Sequence, residues 1–140
     1  MRAIRSTNTK PEFFVRRLIF SQGFRYRLHD RTLPGKPDLV LKKYKVAIFV
    51  HGCFWHQHQN CPRASLPASN IHYWEPKLES NTKRDRQVIQ ELLNNGWRVL
   101  IVWECACKKT CESSIKIRLK NFIIGTDLYS EIERLPSAHS

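Results

Sequence analysis

Residues 37–61 read PDLVLKKYKVAIFVHGCFWHQHQNC. Two short apolar runs, DLVLK and KVAIFVH, are separated by lysines and a tyrosine, which reads as a β-hairpin. A two-residue turn at Lys43-Tyr44 would place Asp38 opposite Phe49 and His51 diagonally on the same face. A turn one residue longer would shift that register. Both runs are apolar on successive residues, the pattern of strands covered on both faces. Behind them comes a loop crowded with His, Cys and aromatic residues. Asp38, His51, Cys53, His56, His58 and Cys61 fall within 24 residues.

On the N-terminal side, Thr9-Lys10-Pro11-Glu12 opens a helix that Gly23 stops, with Phe14, Val15, Leu18 and Ile19 forming its apolar stripe. Phe24 to Asp30 alternates apolar with basic residues, as a half-buried strand does, and Leu33–Pro37 is a turn or rigid loop. On the C-terminal side a long loop leads to a second helix that starts at Thr82-Lys83-Arg84-Asp85. Its inner face is Val88, Ile89, Leu92 and Leu93, and Asn95-Gly96 ends it. Trp97–Trp103 is a nearly continuous apolar strand, and Glu112–Ile124 a third helix with Ile115, Leu119, Phe122 and Ile123 inward. These elements predict one α/β domain over residues 1–140 with a small mixed sheet flanked by helices. Its core lies at about 8–124, and residues 125–140 form a peripheral tail.

A chain of 140 residues, 41% hydrophobic and 11% aromatic, is long enough to fold around its own core. The formal charge is +12, and residues 1–60 hold twelve Lys and Arg against three acids, which leaves nine of those charges in the first part. Such a one-sided surface suits a polyanion, nucleic acid above all; an ordinary solvated surface is the plain alternative. The start MRAIRSTNTK has no apolar segment of a secretory signal, and no apolar run is long enough to span a membrane. Five cysteines, three of them close to histidines, fit metal-binding thiols in a reducing cytosol better than a disulfide framework.

Three groups of residues carry chemistry. Cys53, His58 and Cys61 cluster as tetrahedral zinc requires, and Cys105 at the end of the Trp97–Trp103 strand is the best fourth ligand, with Cys107 and Cys111 behind it. Free buried cysteines beside surface histidines are the competing reading. The second group is Asp38, His51 and His56, with Glu12 and Asp85 as outlying carboxylates. A phosphodiester nuclease needs a carboxylate for Mg²⁺ and a base to activate water, and His titrates in the right range. Glu12 and Asp85 also stand at capping-box positions, and Asp38 could cap a turn after Pro37. The third group is aromatic: Phe54-Trp55 and Tyr73-Trp74, residues able to stack on or wedge between bases.

The chain resembles the very-short-patch-repair (Vsr-type) DNA mismatch endonucleases. The resemblance rests on MRAI to Glu12, LPGKPD, FVHGCFWHQH with the Cys after it, KRDR and GWRVLIVWEC, over roughly residues 1–111. It implies a restriction-endonuclease-like core with a structural zinc. Pro37-Asp38 stands for the PD of that fold's nuclease signature, and Phe49-Val50-His51 replaces its (D/E)xK. By resemblance Asp38 and the Val50 carbonyl bind Mg²⁺, and His56 is the water-activating base, oriented by Asp85. Glu12 and His51 complete the active site. The zinc ligands would be Cys53, His58, Cys61 and Cys105, and Phe54, Trp55 and Trp74 would intercalate beside the mismatch. The implied activity is nicking 5′ to the T of a T·G mismatch in double-stranded DNA. The protein would be a monomer in the bacterial cytoplasm, at the nucleoid, working with mismatch-repair factors. A nuclease for other sequences or lesions and an inactive zinc-stabilised DNA-binding module are the rivals.

Overall fold

Leu39–Leu41 (β2) and Val46–His51 (β3) pair antiparallel in the expected register, with Leu39 opposite Ile48, Val40 opposite Ala47 and Leu41 opposite Val46. The connection is longer than a two-residue turn. Lys42–Tyr44 form a 3₁₀ turn closed by Lys45, whose φ of 57° is left-handed. The register survives because the added loop residues, Lys42 and Lys45, come one from each strand. The computed structural model describes residues 8–134, so the MRAI match and the last part of the expected tail, 135–140, lie outside the described residues.

Arg98–Trp103 (β4) runs parallel to β3, from Val46 opposite Arg98 to His51 opposite Trp103, and is buried from Val99 onward. Arg27–Leu28 (β1) adds to β2 antiparallel and Tyr129–Ile132 (β5) adds to β4 parallel, giving one mixed sheet in the order β1-β2-β3-β4-β5. Successive strand residues face opposite sides. Lys10–Phe20 (α1) and Glu112–Ile124 (α3) therefore pack Val15, Leu18, Ile115 and Leu119 on Leu39, Leu41, Ile48 and Leu100. Ile71–Asn94 (α2) packs Val88, Ile89 and Leu92 on Ala47, Phe49, Val99 and Ile101 across the sheet. The result is a mixed α/β fold with helices on both sheet faces. Phe49 and His51 face α2. Among the described residues no helix is long and apolar enough to cross a membrane.

Three expectations need correction. The strand expected over Phe24–Asp30 shrinks to the two residues of β1: Phe24 is buried, but Leu28 is exposed and His29 turns away at φ 48°. Phe24 and Tyr26 pack on the core while the two strand residues stay exposed at the sheet edge, so alternation alone does not make a strand. The second helix begins at Ile71, eleven residues before Thr82, and carries Pro76 inside it. Asp85 is thus mid-helix and caps nothing. The segment after Gly125 is not wholly peripheral, because β5 joins the sheet and Ile132 is buried among the α1–α3 core residues. Its pattern is weak because an edge strand buries little of its length.

Candidate active site and metal centre

The α2 face of β3 ends in His51, which is buried. Immediately after it the chain coils back, with the His56 N–H donating to the Gly52 carbonyl at 3.1 Å. That coil lays the His56 ring flat on His51, centroids 3.7 Å apart and planes 3° from parallel. Asp85 reaches them from α2. Leu78, Asp85 and Leu92 recur at seven-residue spacing on the inward stripe of the helix, so a carboxylate occupies a position where the pattern calls for an apolar side chain. Its Oδ2 lies 2.6 Å from His56 Nδ1.

Asp38 precedes β2, and its Oδ2 accepts the Val50 N–H across the hairpin at 2.7 Å. It is therefore tied to β3 rather than capping a turn. A cavity of about 350 Å³ opens here, lined by Asp38, Val50, His51, His56, Arg84 and Asp85. Gly35 lets the preceding loop lie against α2. It has a φ of 73°, and a Cβ there would fall 2.4 Å from Val88 Cγ1.

Burial pushes the Asp38 carboxyl up to about 6, and the charge of Glu12 adds to that; the Val50 N–H and the neighbouring His29 and His56 act the other way. Burial, then the proximity of His56, holds His51 well below the ordinary imidazole range, so its ring is neutral at physiological pH.

Glu12 is 2% exposed and divides its oxygens between two tasks. Oε1 accepts the Asn8 N–H at 3.1 Å, while the Glu12 N–H donates to Thr9 Oγ1 at 3.4 Å, the contacts of a helix start. Oε2 meets Arg16 and, at 2.5 Å, His29 Nε2. Ligand atoms of Glu12, His29 and Asp38 lie within 4.8 Å of one another. His29 was not among the residues expected here. Continuing the β1–β2 register by one pair sets it opposite Asp38, and its N–H donates to the Asp38 carbonyl at 3.1 Å. That register was the signal that could have found it.

The metal-type cluster follows from the parallel pairing of β3 and β4. His51 opposes Trp103, so two residues further on Cys53 and Cys105 leave the sheet side by side. The His58 N–H donates to the Cys53 carbonyl at 2.9 Å, and His58 Nδ1 comes to 3.6 Å from both sulfurs. With Cys61 the four ligand atoms lie within 4.8 Å of one another. Three thiols and an imidazole are a donor set that suits tetrahedral zinc. Burial pushes the Cys53 thiol up to about 12, helped by the crowding of Cys105 and Cys61, a penalty that a bound cation would reverse. Cys107 and Cys111 stand apart, packed beside the α1–α3 core.

Phe54, Trp55 and Trp74 gather into one cluster of edge-to-face rings, with centroids 5.1 to 5.5 Å apart. Trp74 lies on the first turn of α2, a part of the helix that the sequence pattern reads as loop.

Comparison with known proteins gives the family. The model of the DNA mismatch endonuclease Vsr family matches residues 1–63. The DNA mismatch endonuclease Vsr of Escherichia coli K12 is 40% identical over 136 residues, covering 95% of this chain and 86% of its own length. The chain belongs to the Vsr family of DNA mismatch endonucleases. It is accordingly an endonuclease. Similar Vsr relatives include the type II nicking enzyme V.XorIIP of Xanthomonas oryzae, 44% identical with 88% of both chains covered. Another is the nicking enzyme V.NmeAIP of Neisseria meningitidis, 47% identical over 77% of this chain and 76% of the relative. The part matched by the Vsr model holds Glu12, His29, the β2–β3 hairpin and three of the four metal-type residues. Asp85, Trp74 and Cys105 lie beyond it.

Proposed function

We propose that this protein is a single-domain, Mg²⁺-dependent nicking endonuclease of very short patch repair. It cleaves one DNA strand 5′ to the T of a T·G mismatch, acting as a monomer at the bacterial nucleoid. The observation that carries the reading is the cavity in which the half-buried Asp38 carboxyl faces the stacked His51–His56 pair and Asp85. A hairpin presenting Asp38 and Phe49-Val50-His51, in a mixed sheet covered by helices, supports a restriction-endonuclease-like core.

The residues fit a divalent cation. Asp38 is a carboxyl driven toward protonation by burial and by Glu12, a combination that a cation relieves. Asp38 and the Val50 carbonyl would hold it, and what Mg²⁺ supplies when bound is stabilisation of charge developing on the phosphate oxygens. The chain's own residues do the rest. His56 donates its Nδ1–H to Asp85, which leaves Nε2 with a lone pair to take a proton from water. The water oxygen bonds to phosphorus as the bond from phosphorus to one deoxyribose oxygen breaks. His51, neutral and stacked on His56, adds no positive charge beside that base. Phe54, Trp55 and Trp74 are assigned to wedge beside the mismatch, and zinc on Cys53, His58, Cys61 and Cys105 to hold their loop.

The test is strand-specific nicking of a labelled duplex with one T·G mismatch, against a T·A control, with Asp38→Ala in parallel. A single Mg²⁺-dependent nick 5′ to the mismatched T, absent from control and variant, is expected. Equal cleavage of both duplexes would discard the repair role, and binding without cleavage would leave a DNA-binding module.

A further inference from the structure

The strand β5 brings two carboxylates to the metal-type cluster. Glu131 Oε1 accepts the Trp103 indole Nε1–H at 2.7 Å. Two residues on, Glu133 Oε1 lies 2.6 Å from His58 Nε2. The two recipients are themselves stacked, with the His58 and Trp103 rings 4.1 Å apart and 7° from parallel. The imidazole is thus held on its face by Trp103 and on its Nε2 edge by Glu133. That leaves Nδ1 equidistant from two sulfurs, 3.6 Å from Cys53 and 3.6 Å from Cys105.

We propose that Glu133 is a positioning residue of the zinc centre. Its carboxylate accepts the His58 Nε2–H, fixes the tautomer whose lone pair sits on Nδ1, and thereby selects Nδ1 as the ligating nitrogen. This rests on the reading that Cys53, His58, Cys61 and Cys105 hold zinc. A carboxylate on the far nitrogen of a metal-bound imidazole strengthens the donor and prevents ring rotation. The consequence reaches the fold: β5 is the last strand of the sheet, and its Tyr129 and Glu131 line one cavity with His51, His56 and Asp85. Through Glu133 it reports on whether the loop of residues 52–61 is properly clasped. The Glu133 side chain is 54% exposed, while that of His58 is 6% exposed. The contribution is therefore set at the lower end of what such partners give.

The experiment measures zinc content of the purified protein by atomic spectroscopy and the rate of zinc transfer to an excess of chromophoric chelator. Wild type, Glu133→Gln and Glu133→Ala are compared. Wild type is expected to carry one zinc and release it slowly; Glu133→Ala should release it about tenfold faster. Glu133→Gln, which keeps an acceptor oxygen, should fall between them. Long-range ¹H–¹⁵N spectra of the histidines should show His58 protonated at Nε2 in the wild type. A zinc-loaded wild type whose Glu133→Ala variant releases metal at the same rate would overturn the role of Glu133 alone. A wild type without zinc would overturn the zinc reading beneath it as well.

Discussion

Asp38→Asn removes one charge and keeps the shape, and the structure sets both its sign and its size. The Asp38 carboxyl is pushed from its ordinary value of 3.8 to about 6, chiefly by burial. A raised carboxyl binds protons more tightly in the folded than in the unfolded chain. Its charged form therefore costs stability above the folded value, and that cost fades as pH falls toward the unfolded one. A shift of about two units corresponds to about 3 kcal/mol at pH 7.5 and roughly half of that at pH 5. The amide introduced by the substitution can still accept the Val50 N–H through its oxygen. Asp38→Asn should thus be more stable than the wild type at pH 7.5, by up to about 10 °C in a chain of this size. The gap should narrow at pH 5, and nicking should be lost. Calorimetry on both proteins in metal-depleted buffer, then with added Mg²⁺, provides the check. Mg²⁺ at ten times its dissociation constant should stabilise the wild type by about 1.4 kcal/mol and leave the variant unmoved. A variant less stable than wild type at pH 7.5 would refute the argument, because the Val50 hydrogen bond of Asp38 and its attraction to His29 and His56 would then outweigh its desolvation.

Asp85→Asn should cut nicking by about 10²- to 10⁴-fold with DNA affinity unchanged, since His56 loses the partner that fixes its tautomer; single-turnover rates with a binding titration test this. Gly35→Ala should cost about 2–4 kcal/mol, combining a left-handed backbone with a Cβ driven against Val88. In denaturant unfolding, adding Val88→Ala should recover only the packing part, and an additive pair would reject the clash. His29→Ala leaves the buried Glu12 with one contact fewer and should destabilise by about 1–2 kcal/mol while slowing nicking. Unchanged stability would show that Arg16 suffices to hold Glu12.

Legibility in the sequence followed the density of local constraint. The hairpin register was readable because a single-residue slip would have turned Asp38 and His51 to the wrong face. Glu112–Ile124 was readable to the residue because its apolar stripe, Ile115, Leu119, Phe122 and Ile123, is uninterrupted. The start of α2 was not. Pro76 and the run of residues 65–70 read as loop, and burial of Leu78 with the contacts of Trp74 and Asn81 to the loop at Phe54-Trp55 favours the helix that far back. The strand β5 was missed for the opposite reason. Of its four residues only Ile132 is buried, so the sheet edge supplies the ordering that the sequence pattern lacks.

The candidate site divides along the same line. Asp38, His51, Cys53, His56, His58 and Cys61 are close in sequence, and a hairpin with its following loop gathers them without help from distant parts of the chain. The residues that orient them arrive from elsewhere: Asp85 from α2, Cys105 from the end of β4, His29 from β1's end and Glu133 beyond β5. The parallel pairing of β3 with β4 joins the two centres, because it sets His51 beside Trp103 and then Cys53 beside Cys105. One strand end thus delivers a histidine to the cavity beside Asp38 and, two residues later, a thiol to the metal-type cluster. The loop between Cys53 and Cys61 carries Phe54, Trp55 and His56, so whatever fixes its sulfurs also fixes the His56 ring and the aromatic cluster. A carboxylate just beyond β5 that steadies His58 therefore acts first on that loop, which is why metal release reads its role more directly than nicking does.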